Sequence, residues 1–302
     1  MATRTLQDKQ GTGLRSRPTT HSRQGTRMTF LKVTACLLPL ATMATVLPAT
    51  AAETQQVNML LVTSDATTYA SHINGAVLGQ TEGNIQGRFL GIDYQLQTQN
   101  PGAALYALEG ISAVIVAAPL ADLLQVYQVY TAQQVPVFNI ATEDDSLRAL
   151  CRPGLYHTLP SRRMLIDAEA QWQQANPDSK VQALAWHPEF VKFAGRDLNK
   201  RYTEQFDVAM DSAAWAGWAA TRIVAEAVVR TGSSEGEDID AYLRTGLGFD
   251  GQKGVAQTFR DNGQLRQPLL LVNNAGELVG EAPVRGVADS NDRDSLGLPG
   301  CL

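Results

Sequence analysis

Apolar positions along the chain alternate between two rhythms. Val57–Val62 is a short apolar run closed by Thr63-Ser64-Asp65, the pattern of a buried strand and its turn. From Thr68 to about Gln80 the spacing becomes helical, with Ile73 and Val77 on one face. Ile92–Leu96 alternates as a strand, Asn100-Pro101-Gly102 breaks it, and Ala103–Leu108 fits a short helix. Ile111–Ala118 is the strongest buried strand, closed by Pro119. Leu123, Tyr127 and Tyr130 then mark the face of a helix ending near Gln134, before a strand at Val135–Ile140. Strands separated by helix-length segments predict parallel βαβ units covered on both faces, a Rossmann-like lobe.

Past Cys151 the elements are more scattered. Leu155–Leu159 is a strand candidate, and Ser161 caps a helix running to Trp172 and stopped by Asn176-Pro177. A strand at Val181–Trp186 and a helix around Asp197–Gln205 follow. Asp211-Ser212 opens a long helix in which Trp215, Ala219, Ile223 and Ala227 share one face, and buried packing is the expected role of Trp215 and Trp218. Thr231–Asp238 is expected as a polar loop. Val255–Phe259 and Leu265–Val272 are expected to pair as a hairpin through Asn262-Gly263, with a type I′ turn and Pro268 limiting the second strand. The tail from Val287 is polar and expected to be loosely packed except where Cys301 tethers it.

The amino end has a different character. Residues 1–27 carry six basic residues against one acid, Asp8, with no apolar period. Met28 to Lys32 leads into an uncharged apolar run, Val33–Pro48, that ends in Ala49-Thr50-Ala51. A basic start, a short apolar stretch and a small-residue cleavage site form a secretory signal, cleaved near Ala51. The stretch before Met28 is either a long basic region or lies upstream of the true start. Removing residues 1–51 takes away seven basic residues and one acid, so the formal charge moves from −5 to −11. Such acidity argues against nucleic acid as a partner. Cys36 leaves too, and in an oxidising compartment the remaining pair, Cys151 and Cys301, is expected as a disulfide, the alternative being two separate thiols.

No catalytic constellation is expected: there is no G-x-G-x-x-G after the first strand, no phosphate loop, no H-E-x-x-H and no G-x-S-x-G. His72, His157 and His187 lack ligand spacing, so no metal site and no cofactor is expected. In open α/β sheets small ligands bind outside the carboxyl ends of the strands. That rule singles out Ser64, Asp65, Asn139, Thr142 and Glu143 as ligand-binding candidates, the last opening an acidic run to Asp145.

Two sets of strings carry a family resemblance. Trp215-Ala-Gly-Trp218, Arg222, Ala225-Glu226-Ala227, Tyr242-Leu243, Phe249-Asp-Gly251-Gln-Lys-Gly254 and Phe259-Arg-Asp-Asn-Gly263 resemble type I periplasmic binding proteins, receptors of branched-chain amino-acid-type ABC transporters. Asn139 to Arg148, Cys151-Arg152, Leu155 to Ser161 and Gly263 to Leu270 are similar to the substrate-binding proteins associated with PQQ-dependent alcohol dehydrogenase systems. The resemblance covers most of residues 55–302. It implies an α/β fold of two Rossmann-like lobes, lobe 1 taking 53–150 and 205–266, and lobe 2 taking 151–204 and 267–302. It also implies a small solute in the inter-lobe cleft, an ABC permease and a quinoprotein dehydrogenase as partners, and no enzymatic activity. The alternative is a non-transport accessory protein of the dehydrogenase, a degenerate receptor. Two departures bear on this. Ala117-Ala-Pro-Leu120 stands where amino-acid receptors carry hydroxyls, and only Pro177–Lys180 stands where further units of lobe 2 belong, so the second lobe is expected to be shortened.

Overall fold

A computed structural model of the protein describes residues 54–289 and 291–301. The expected leader, with Met28, Cys36 and the expected cleavage site near Ala51, lies outside the described residues. Within them, β1 (Gln55–Thr63), α1 (Ala70–Leu90), β2 (Ile92–Gln99), α2 (Pro101–Ala104), β3 (Ala113–Ala117), α3 (Leu120–Thr131), β4 (Val137–Asn139), α4 (Ser146–Ala149) and β5 (Leu155–His157) form the first half. The second contains α5 (Arg162–Ala175), β6 (Val181–Leu184), α6 (Gly195–Phe206), α7 (Ser212–Thr231), α8 (Gly236–Thr245), β7 (Leu269–Asn273), β8 (Leu278–Ala282) and a 3-10 turn at Arg293–Ser295.

The first five strands make one parallel sheet in the order β2-β1-β3-β4-β5. Alternation along β1 divides its core in two, because successive side chains leave a strand on opposite faces. Val57, Met59 and Leu61 join Ile115, Phe138 and Tyr156 beneath α7. Leu60 and Val62 join Val114, Val116 and Val137 beneath α3, whose Leu123, Val126 and Tyr130 are fully buried. Both faces are covered, as a parallel sheet requires. The α/β class with a parallel sheet therefore follows from the strand pattern.

Leu155–His157 was expected in lobe 2, but it pairs in parallel register with β4 and closes the first sheet. The second set of elements is short, and its sheet, β6-β7-β8, is antiparallel throughout. Only Asn274 to Glu277 join β7 to β8. A connection that short permits a hairpin, whereas a parallel crossover takes a dozen residues or more. Met164 and Ala168 of α5 pack on this sheet with Leu269, Leu271 and Leu296.

Other differences have local causes. α1 continues ten residues past Gln80, through Gly83 and Gly87, because these glycines sit against β2 and α7. Pro101, expected as a breaker, begins α2 instead, with the Asn100 side chain capping the Ala103 amide. Part of the expected loop 231–238 starts α8. The expected hairpin is reduced to a Phe259–Leu265 bridge, and the second run pairs instead with β6 and β8. Its turn is closed by the Gly263 amide on Arg260 O, with Gly263 alone left-handed at φ +76°; a type I′ turn would need Asn262 there too. The tail is anchored rather than loose. Fully buried Arg260 donates to the carbonyls of Arg293, Leu296 and Leu298 and pairs with Asp294, and Cys151–Cys301 forms a disulfide with Cα atoms 5.4 Å apart. Trp215 and Trp218 are buried, Trp215 stacked on Trp186 at 6.2 Å.

Candidate functional site

The strand order puts β1 beside both β2 and β3, so the chain reverses direction across the sheet between β1 and β3. A crevice opens at that switch point, outside the carboxyl ends of the strands. Ser64 and Asp65 leave β1 there, Ala118 and Pro119 leave β3, and Thr142 and Glu143 follow β4. β1 and β4 are two strand spacings apart, roughly 10 Å, a span that a small solute bridges.

Ser64 and Asp65 are exposed. The Asp65 carboxylate accepts the Thr67 amide at 2.9 Å and the Thr68 hydroxyl at 2.6 Å. These bonds, the hydroxyl first, hold its carboxyl below the usual range. Thr142 and Glu143 are half-buried, and the Glu143 carbonyl accepts the Arg162 amide at the start of α5.

Asn139 belongs to a different construction. It is fully buried; its amide nitrogen donates to Thr142 O at 2.7 Å and lies 3.0 Å from His157 Nδ1. Its Oδ1 accepts the amides of Ala141 and Thr142. With its groups committed inward, Asn139 shapes the turn that carries Thr142 and Glu143 and has no donor left for a ligand. Burial, then the nearby Arg148, pushes His157 well below the usual imidazole value, so the ring is neutral.

Arg148 is the residue the periodicity did not single out. It is buried, with Nε on Gln264 Oε1 at 2.9 Å, Nη1 on the carbonyls of Thr142 and Asp144, and Nη2 on Leu159 O. Burial lowers its pKa to about 9, the acidic run Glu143–Asp145 opposing that shift, and it stays protonated at neutral pH. One guanidinium thereby ties the β4 loop, the β5 exit and the 259–267 segment together. Its only sequence signal was its place in the Asn139–Arg148 string.

The site thus offers exposed Ser64 and Asp65 and half-buried Thr142 and Glu143 along the carboxyl edge. Among the described residues no group of three or more His, Cys, Asp and Glu is placed to hold a metal ion, and no helix is long and apolar enough to cross a membrane.

No protein-family model matches the chain, and no curated protein does. Solved structures do share its fold. A branched-chain amino acid ABC transporter periplasmic ligand-binding protein from Burkholderia xenovorans aligns with TM-score 0.65 and 13% identity over 75% of this chain and 95% of its own. An ABC transporter substrate-binding protein from Desulfitobacterium hafniense in complex with Leu gives 0.63 and 12%, over 74% and 100%. A solute-binding protein from Rhodopseudomonas palustris in complex with benzoate gives 0.59 and 10%, over 74% and 95%. The fold is that of the type I periplasmic binding proteins.

Proposed function

We propose that this chain is the periplasmic substrate-binding component of an ABC transporter, exported by the leader ending near Ala51 and serving a PQQ-dependent alcohol dehydrogenase system. It binds without covalent chemistry and delivers its solute to a permease. The observation that carries this reading is the open carboxyl edge at the β1–β3 switch point, in a fold whose solved neighbours bind leucine and benzoate. Ser64, Asp65, Thr142 and Glu143 form the contact surface.

The chemistry of that surface selects the solute. Asp65 already occupies the Thr67 amide and the Thr68 hydroxyl in the turn before α1, and Glu143 adds a second carboxylate. Ala118 and Pro119 contribute no hydroxyl. A neutral hydroxylated solute, an alcohol or polyol, fits better than an amino acid or a carboxylate. Thermal unfolding with panels of alcohols, polyols, amino acids and PQQ tests this. A ligand at a hundredfold its Kd adds about 2.7 kcal/mol, which is roughly 5–10 °C for a chain of this size. The effect should vanish in Asp65→Asn, and an unmoved Tm across the whole panel would overturn the reading.

One observation favours a second reading, the non-transport accessory protein of a quinoprotein dehydrogenase. An antiparallel sheet has no common carboxyl edge, so β6-β7-β8 supplies no second jaw of the usual kind. Affinity capture that retains the dehydrogenase but no permease would decide for it.

A further inference from the structure

Three chain crossings join the parallel sheet to the antiparallel one: 158–161 between β5 and α5, 185–194 between β6 and α6, and 266–268 ahead of β7. Buried side chains draw them together. Gln267 donates to Thr158 O at 2.7 Å, and Lys253 donates to Gln267 Oε1 at 2.8 Å and Pro268 O at 3.0 Å. The Lys253 ammonium also lies 3.8 Å from the Trp215 ring, on which Trp186 of the second crossing stacks. Crossings gathered in this way form a pivot, about which one lobe can rotate on another.

The carboxyl-terminal tail makes a fourth connection. On one side it is fastened to the parallel sheet. The 259–265 segment lies beside β5, with the His157 amide donating to Gly263 O at 2.8 Å and the Leu265 amide to His157 O at 3.0 Å. From that segment Arg260 reaches the carbonyls of Arg293, Leu296 and Leu298, and Asn262 reaches those of Leu298 and Gly300. Arg260 and Arg266 share the Asp294 carboxylate. On its other side the tail is fastened to α5 and the antiparallel sheet. Leu296 is buried with Met164, Leu269 and Leu271, Asp167 accepts the Gly297 amide at 2.8 Å, and Gln171 donates to Ser295. Gly297 is left-handed at φ +78°, and a Cβ there would lie 2.5 Å from Met164 Cγ, so tail and helix meet without a gap.

The end of the tail is closed covalently by Cys151–Cys301. Cys151 precedes β5, whereas the 158–161 crossing leaves the far end of that strand. Bridge and pivot are therefore separated by the length of β5, roughly 10 Å for three residues. Rotation about the pivot would shear the tail and pull buried Arg260 from its carbonyls, leaving its donors unpaired. We propose that residues 292–301 are a strap holding the antiparallel sheet at one fixed angle to the parallel sheet, with Cys151–Cys301 as its buckle. A solute taken at the carboxyl edge is then bound without lobe closure, and the strap stands whether or not that edge binds one.

Double electron–electron resonance on the mature chain tests this. Azidophenylalanine in place of Phe89 on α1 and of Ile166 on α5, both exposed, takes spin labels without touching the cysteines. The oxidised protein should give one narrow distance. Cys151→Ser with Cys301→Ser should at least double its width or add a second distance. Should that variant lose the native circular dichroism spectrum, Asp294→Ala takes its place: it removes the half-buried carboxylate shared by Arg260 and Arg266, leaves the bridge intact, and should widen the distribution by at least half. A distribution already broad in the oxidised protein, or one equally narrow in the folded variant, overturns the strap. Neither result bears on the solute, which the thermal panel reads separately.

Discussion

Gly75→Ala should destabilise this protein although alanine is the better helix former. A Cβ built on Gly75 of α1 would lie 1.8 Å from the carbonyl oxygen of Ala214 in α7. Carbon–oxygen contacts settle near roughly 3.3 Å, so the two backbones must part by about 1.5 Å. A gap of 0.5–1 Å already forfeits about a quarter to a half of each dispersion contact. A few tens of atom pairs at roughly 0.1–0.2 kcal/mol then lose about 2–4 kcal/mol, in line with measured overpacking. Against this, replacing a helical glycine gains about 1 kcal/mol. The net loss is about 1–3 kcal/mol. At a urea m-value of roughly 2–3 kcal/mol/M the midpoint falls by about 0.3–1.5 M. Gly83→Ala, eight residues along the same helix, is the control: its nearest neighbour would be a Tyr94 ring carbon at 3.3 Å, which can give way. That variant should stay within about 1 kcal/mol of wild type. Urea unfolding followed by circular dichroism reads both. A Gly75→Ala midpoint at or above wild type would refute the close-contact reasoning.

Three further outcomes follow from the same interior. Reducing Cys151–Cys301, or replacing both cysteines by serine, should lower stability by up to about 5 kcal/mol, because the bridge closes a loop across 150 residues; equal urea midpoints with and without reductant would contradict it. His72 is pushed to about 4 by burial, with Asp211 opposing, so the folded state binds fewer protons than the unfolded chain between pH 4 and 6.5. Its contribution is intact above pH 6.5 and is lost as pH falls through about 4, a change of up to about 3 kcal/mol that His72→Gln should flatten in a pH series of unfolding midpoints. Arg148→Met should cost about 3–5 kcal/mol, since it strands Gln264 Oε1 and the Asp144 carbonyl without their arginine donors, and thermal unfolding should show a drop of roughly 6–20 °C.

Much of the first half was legible in the chain because its signals are local. The ISAVIVAA run, the apolar stretch before Thr63 and the helix-length spacers specify buried parallel strands whatever lies around them. Ser161 and Asp211 were readable as helix caps, and their side chains do accept the Met164 and Ala214 amides. Ser64, Asp65, Thr142 and Glu143 fell at the carboxyl edge because strand ends are set by sequence. Asn139 met the same rule yet is turned inward, since only the neighbouring strand supplies His157.

What only the tertiary structure decided depends on partners distant in the chain. Gly75, Gly79, Gly83 and Gly87 recur every four residues and weaken a helix on propensity alone. They extend α1 to Leu90 because one face must pass close to α7 and β2, where at Gly75, Gly79 and Gly87 a side chain has no room. The run at Leu269–Asn273 matched its upstream neighbour in pattern but found better partners in β6, about ninety residues earlier, and β8. The tail is mostly polar and became ordered through Arg260 and the buried Leu296. Local pattern determines which segments are strand or helix and which side is apolar; the choice of partner belongs to packing, because it is settled by competition among surfaces that the chain brings together only on folding.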